Sequence, residues 1–391
     1  MGLLNCTSGE LLLRLYLTFL IWGADGQGTE TVKLVSGNEE INLGQHQGTW
    51  APLMQTKENL TEINGIKSSF LFRTFDPEGV VFYGDTLNGA DWFVLALKDG
   101  TPEMQIGKAD ILVSMHGGPK INDGQWHLME ISNDGDFVRL HVDSQKEVIV
   151  GLRSKITESV MQGQIRLALG GILVSPEKLL IPFQPAMDGC IRQGNWLNLS
   201  ILWETQQLGE RRPCHDNIQP GSYFSGAGLA TFNTTDLPAY QTAESGITIN
   251  IHGDSTRLNG TILSLTTPGQ DVPVITLTVD SNMKKITLAT LEKESVTESV
   301  HFTRLSLTLR KNTLLVTTDD TKLNADVPDY LSSWREGMML SLGGLQKDGP
   351  PGSSNQYLKG CLEKIQVQGE DLDLDRALYK DVSISSHSCP A

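Results

Sequence analysis

Short apolar runs recur along this chain at strand-like intervals. The first half contains SSFLFRTF, GVVFYGD, WFVLALK, WHLMEIS, FVRLHVD and QIRLALGG. In the segment VRLHV, Val138, Leu140 and Val142 alternate with Arg139 and His141, a period of two that buries one face of a strand. The stretch 132–137 places Asp134-Gly135 between two such runs and reads as a hairpin turn. No long segment has helical periodicity. Many short strands joined by Gly-rich turns predict an all-β sandwich.

The second half repeats this plan. GITINIH, TILSLTT, VITLTVD, KITLATL, RLSLTLRKNTLLVTT and MMLSLGGL read as strands. RLALGGIL near 166–173 matches MLSLGGLQ near 339–346, and in both halves a Gly-Cys pair follows. Two copies of one domain are expected, over 45–215 and 222–391. The boundary falls in HDNIQPGS, which has loop composition. One segment, DLDLD at 371–375, imitates the start of an EF-hand loop. Arg376 stands where that loop needs Gly and Val382 where it needs Glu, so the alternation of Leu372 and Leu374 reads as a strand with a polar face.

Composition narrows the class. A length of 391 residues with 39% hydrophobic content supports two cores. The formal net charge of −15 and a pI near 5.0 oppose nucleic acid or an anionic membrane as partner. The N-terminus has an apolar run from Leu11 to Trp22 that ends in Gly23 and Ala24, as a secretory signal over residues 1–28 would. Four cysteines lie beyond it: Cys190, Cys214, Cys361 and Cys389. Four allow three pairings, and the spacing favours Cys190 with Cys214 and Cys361 with Cys389, each contributing roughly 3 kcal/mol by loop closure. The sequons at Asn59, Asn198, Asn233 and Asn259 fit the same extracellular compartment.

The motifs DGQWHLMEIS at 123–132, LALGG at 167–171 and MDGC at 187–190 resemble the laminin G-like domain, a jelly-roll β-sandwich of two sheets, and the resemblance extends over about 45–391. Within that family, SSFLFRTFDPEGVVFYGD and DWFVLALKDGTPEMQI resemble the plasma globulins that carry androgens and oestrogens such as testosterone, dihydrotestosterone and oestradiol. The resemblance implies a steroid pocket in the first domain and a homodimer formed through that domain's strand edges.

It also assigns site residues. Ser68 is expected to bond the polar group at one end of the steroid, and Asp91 to accept from the hydroxyl at the other. Phe93 would lie against the rings, with Ile131, Val138, Ile165 and Leu197 as further wall. Read on their own residues, Ser68 is an edge serine, Asp91 a strand-start carboxylate and the apolar set plain core. Lys108 departs from the asparagine of mammalian members. Its ammonium can only donate, and three fates are open: bonding the ligand, neutralising Asp91, or pointing to water. Asp76-Pro77-Glu78-Gly79 has turn chemistry, and the resemblance makes Asp76 and Glu78, with the Ala186 carbonyl, a structural calcium site of hard oxygen donors. The family's histidine zinc positions correspond to Ala109 and Gln162, so zinc is not expected.

No G-x-S-x-G, H-E-x-x-H, P-loop or dinucleotide fingerprint occurs, so a binder rather than an enzyme is expected. The alternative within the same fold is a calcium-dependent module that binds a receptor or matrix glycan. The acidic balance opposes the basic rim such a glycan site would need.

Overall fold

The VRLHV segment folds as its period requires: Val138, Leu140 and Val142 are buried, while Phe137, Arg139 and His141 are half-exposed. The same rule organises the rest of the chain. The computed structural model describes residues 33–391 except 37–38, 46–47, 87, 109–110, 134–136, 145, 152–162, 206–211, 243, 292, 298–300 and 346–356. The secretory segment expected over 1–28 and the positions Ala109 and Gln162 lie outside the described residues.

The strands of the first lobe are β1 (Lys33–Ser36), β2 (Ile41–Asn42), β3 (Met54–Asn59), β4 (Ile66–Thr74), β5 (Gly79–Thr86), β6 (Asp91–Lys98), β7 (Thr101–Lys108), β8 (Ile111–His116), β9 (His127–Asn133), β10 (Phe137–Val142), β11 (Lys146–Gly151), β12 (Gln164–Leu169), β13 (Gly189–Trp196) and β14 (Leu202–Thr205). They form two antiparallel sheets, ordered β1-β14-β3-β12-β5-β6-β7-β8 and β11-β10-β9-β4-β13-β2. One apolar cluster joins the inward faces, with Phe82, Leu95 and Leu167 from the first sheet and Phe70, Met129 and Leu140 from the second. Trp196 stacks on Phe70 at 5.3 Å and on Phe82 at 5.6 Å, an aromatic filling of the kind that carries much of a core's apolar area.

The second lobe is built the same way. Its two sheets centre on the paired strands Asn259–Thr266 with Ile275–Asp280 and Ile247–His252 with Arg304–Leu309, around a core holding Ile249, Leu263 and Leu307. A single α-helical turn, Leu331–Glu336, ends at Gly337 in the left-handed conformation, the usual stop for a helix. The two disulfides are Cys190–Cys214 and Cys361–Cys389, the local pairing favoured by spacing. Among the described residues no helix is long and apolar enough to cross a membrane.

The reading of 371–375 as a strand is corrected. Only Asp371 belongs to a strand, Glu370–Asp371, and Leu374–Arg376 is a 3-10 turn capped by the Asp373 side chain. Leu374 still faces the core, but the carboxylates around it serve a polar cluster rather than a wet strand face. Asp373 accepts from the Asp375 N–H, a local bond that competes with a sheet ladder.

The described residues from Lys33 to Ala391 form one compact unit, and the lobes are tied by polar bonds. Arg73 of β4 donates to the backbone carbonyls of His215 and Asp216 in the connection. The second lobe's C-terminal segment reaches the first lobe at Asp188, which accepts from the Ser385 hydroxyl and from the His387 N–H.

Candidate ligand and metal sites

Strand β6 is buried on both faces, and its two faces do different things. Phe93, Leu95 and Leu97 enter the core between the sheets, whereas Trp92, Val94 and Ala96 join an outer cluster with Tyr83 and Phe183. Asp91 has the parity of Phe93, so its carboxylate belongs to the core-facing side, half-buried at the end of the strand.

The register carries the row across the sheet. Ile165 of β12 lies opposite Thr86 of β5, Thr86 opposite Asp91, and Asp91 opposite Lys108 of β7. Directly opposed residues put their side chains on one face, so this row is apolar, hydroxyl, carboxylate, ammonium. Lys108 is thus placed beside Asp91, and among the described residues no ion pair links them. One row inward, Gly84 lies opposite Phe93. Lacking a side chain on the core face, it admits Leu167, whose Cδ2 would stand 3.3 Å from a Cβ at Gly84, while no Phe93 atom would lie within 4 Å of it.

Ser68 lies on the facing sheet. Strand β4 begins two residues ahead of it, at Ile66, and Ser68 is buried, opposite Ile131 on β9 and Trp196 on β13. Its hydroxyl accepts from the Leu197 N–H over 3.4 Å, a long bond that leaves capacity for a better partner. Phe93, Ile131, Val138, Ile165 and Leu197 all belong to the one inter-sheet cluster.

The residues expected to hold calcium lie at the opposite end of β5. Gly79 has φ +150°, and a Cβ there would stand 2.4 Å from the Ala186 carbonyl oxygen. Only glycine allows that approach, and it brings Ala186 against the Asp76-Pro77-Glu78 turn. Asp76 is buried; one carboxylate oxygen accepts from the Glu78 N–H at 3.1 Å and the other from the Asp188 N–H at 2.8 Å. Glu78 lines an open cavity of about 510 Å³ together with Asp375 of the second lobe. His387 Nε2 lies 3.0 Å from Asp375, 3.5 Å from Asp76 and 3.6 Å from Asp373.

These groups set one another's charge. Burial pushes the Asp76 carboxyl up, and the His387 imidazolium opposes that rise. Burial works against protonated His387 too, but Asp76, Asp375 and Asp373 outweigh it and hold the ring well above its ordinary range. Burial likewise disfavours ionised Asp375, yet Lys380 at 2.6 Å and His387 hold it far below the usual carboxylate range. Asp76, Glu78 and the Ala186 carbonyl offer hard oxygen donors of the kind calcium takes, while both Asp76 oxygens already accept backbone N–H groups and the His387 ring stands 3.5 Å away.

Residues 72–201 match the laminin G domain family model. The chain is 31% identical to the sex hormone-binding globulin of Oryctolagus cuniculus over 97% of its own length and 92% of that protein's. It is 33% identical to the sex hormone-binding globulin of Rattus norvegicus over 85% and 82%. The chain belongs to the sex hormone-binding globulin family. Its fold also aligns with the solved structure of domains LG4-5 of the mouse laminin alpha1 chain, with a TM-score of 0.60, 17% identity and coverage of 88% and 94%.

Two of the four sequon asparagines have a local structural role. The Asn59 and Asn233 side chains accept from the N–H groups of Thr61 and Thr235 and cap short 3-10 turns. Asn59 and Asn198 are exposed, and Asn233 and Asn259 half-buried. Three groups escaped the linear reading. Thr86 carries no signal until the register sets it beside Asp91. Asp375 and His387 lie about 300 residues from Asp76 in sequence, so no local motif announces them.

Proposed function

We propose that the first lobe reversibly binds androgens and oestrogens between its sheets, and that the protein is a secreted carrier regulating free steroid. The observation that carries this reading is the placing of two polar side chains, Ser68 and Asp91, on the facing inner surfaces of one apolar cluster. A flat apolar ligand with a polar group at each end would lie between two such surfaces. Burying about 400 Å² of steroid yields roughly 10 kcal/mol, of which association consumes several. The hydrogen bonds at the two ends then supply orientation and the remaining affinity. Ser68 meets one end; Asp91 accepts from the hydroxyl at the other, with Thr86 and Lys108 as neighbours in its row. Steroid is bound and released unchanged.

Calcium would be held by Asp76, Glu78 and the Ala186 carbonyl, where it would neutralise buried carboxylates and fix the turn into β5. Dimer formation through first-lobe edges suits β8, an edge strand on which Ile111, Leu112 and Met115 are exposed.

The test is equilibrium binding of labelled testosterone and oestradiol to the full chain, with Asp91→Ala alongside. Saturable binding well below micromolar is expected. A charge-assisted bond is worth about 1.5–3 kcal/mol, so the variant should lose about 10–100-fold for a 17β-hydroxy steroid. Absence of saturable binding overturns the carrier reading; unchanged affinity in the variant overturns the assignment of Asp91.

A further inference from the structure

The four sequons divide by what their side chains touch. Asn59 and Asn198 are exposed, as are Thr61 and Ser200, the hydroxyl residues that complete their sequons. Asn59 Oδ1 accepts from the Thr61 N–H at 3.1 Å, and Asn198 Oδ1 from Asn195 Nδ2 at 3.0 Å. Among the described residues no hydrogen bond uses Nδ2 of either, the atom that takes sugar. The other two are half-buried. Asn233 Oδ1 accepts from both the N–H and the hydroxyl of Thr235, and its amide abuts Gly337, where a Cβ would stand 3.0 Å from Oδ1 and 3.5 Å from Nδ2. Asn259 lies within a strand, opposite Asp280 on one side and Lys359 on the other, and Thr261 of its sequon is only 3% exposed. A sugar ring is much larger than the carboxamide it joins, so on either asparagine it would compete with these packed neighbours.

Backbone geometry positions Asn198. Leu197 and Asn198 have φ of 55° and 57°, and the Leu199 N–H donates to the Trp196 carbonyl at 2.9 Å. This is a two-residue hairpin turn of the primed kind, in which asparagine is favoured. It exposes Asn198 while Leu197 enters the inter-sheet cluster. Both exposed sequons fall at one end of the first lobe. Asn59 lies opposite Gln164, next to the Glu58–Ile165 pair, and Ile165 begins the row through Thr86, Asp91 and Lys108. Asn198 follows Leu197, whose N–H bonds Ser68. Strand β13 runs from there to the other end, with Trp196 opposite Ser68 and Gly189 opposite Thr74. That other end meets the second lobe, through Asp188 and the C-terminal segment.

We propose that Asn59 and Asn198 carry N-linked oligosaccharide, that Asn233 and Asn259 do not, and that the two glycans frame the end of the lobe through which steroid enters. In the transfer, Nδ2 attacks the anomeric carbon of an oligosaccharide carried on a lipid pyrophosphate. The N–C bond forms, the C–O bond to pyrophosphate breaks, and Nδ2 gives up one proton as the lipid pyrophosphate leaves. Such bulky, solvated groups belong on a surface, and these two asparagines stand where the second lobe does not dock. The framing rests on steroid binding in the first lobe; the choice of asparagines does not.

The experiment takes the full chain secreted from a eukaryotic cell line. A peptide N-glycosidase in heavy-oxygen water turns each occupied asparagine into labelled aspartate, which peptide mass spectrometry locates. Asn59 and Asn198 should carry the label, and Asn233 and Asn259 should not. Label at either half-buried site, or its absence from Asn59 or Asn198, would overturn the proposal. Binding rates of labelled testosterone then compare the parent with Asn198→Gln, with Asn233→Gln as reference. A barrier at the entrance slows entry and exit alike, so Asn198→Gln should raise both rate constants by the same factor and leave the affinity unchanged. Damage to the pocket would instead lower the affinity. Enzymatic removal of glycan from the folded parent gives the same comparison if the variant is poorly secreted. Unchanged rates overturn the framing. A chain that binds no steroid overturns the carrier reading and the framing with it, while the peptide map still decides the sites.

Discussion

The two lobes share a backbone plan down to its irregularities, yet their inner faces are furnished differently. The strand β5 and its counterpart Asn259–Thr266 each carry a register shift one residue beyond a positive-φ glycine, after Val80 in the first lobe and after Thr261 in the second. Gly79 meets the Ala186 carbonyl and Gly260 the Tyr357 carbonyl, each at 2.4 Å from a would-be Cβ. With these glycines aligned, Gly84 corresponds to Leu265 and Ser68 to Ile249, both fully buried. Asp76 and Glu78 correspond to Arg257 and Asn259. The second lobe fills with leucine and isoleucine the places where the first keeps a glycine and a hydroxyl, and it sets a cation where the first sets a carboxylate. The same sandwich is a packed core in one copy and a core with polar stops in the other.

Exchanging these positions tests the difference. The largest effect is expected from Gly84→Leu, which puts the second lobe's filling opposite Phe93. Overpacking costs about 1–3 kcal/mol, and steroid affinity should fall on the order of 100-fold or more, read by equilibrium binding beside a urea melt. A variant that folds and binds normally would show that the space beside Phe93 is not where the ligand lies.

Calcium should separate the lobes next. Calcium at 100 times its dissociation constant stabilises by about 2.7 kcal/mol. Asp76→Asn should abolish the calcium-induced rise in Tm, whereas Arg257→Ala in the second lobe should leave it intact. Equal calcium response in the parent and in Asp76→Asn would remove the metal from this turn.

The smallest effect concerns pH. His127 at the start of β9 is bonded by Asp143 at 2.9 Å and Asp123 at 3.0 Å. Burial disfavours its charge, but the two carboxylates prevail and raise its pKa. A raised histidine contributes stability that is fully present below its unfolded value, near 6.5, and is lost as pH rises through its folded value. The second lobe has Thr303 at the matching place, bonded to Asp319, a donor that does not titrate in this range. His127→Thr should therefore flatten the decline of Tm above neutral pH, and an unaltered slope would place that decline elsewhere. Asp319, held down to about 2 chiefly by the Thr303 N–H, contributes above its unfolded value and loses that contribution only as pH falls toward 2.

Much of the fold was legible because strands need only a local period. Val138, Leu140 and Val142 announce a buried face without reference to any partner, and Asp91 and Phe93 share parity two residues apart. The segment 371–375 shows the limit of this reasoning. Its alternation was real, since Leu374 is buried, but Asp373 caps a turn and Asp375 pairs with Lys380 and His387. Local hydrogen bonds and a distant cation outweighed the period, and neither is visible in five residues.

By itself, the sequence determined the class of the molecule, its internal repeat, its local disulfides and the residues able to carry chemistry, because these depend on period, spacing and side-chain type. Only the tertiary structure decided which of those residues meet. Register placed Thr86 and Lys108 on either side of Asp91, glycine backbone geometry brought Ala186 to the Asp76 turn, and the docking of the lobes gathered His387 with three carboxylates. Contacts of that kind depend on strand pairing and lobe packing between residues far apart in the chain, and no local pattern encodes them.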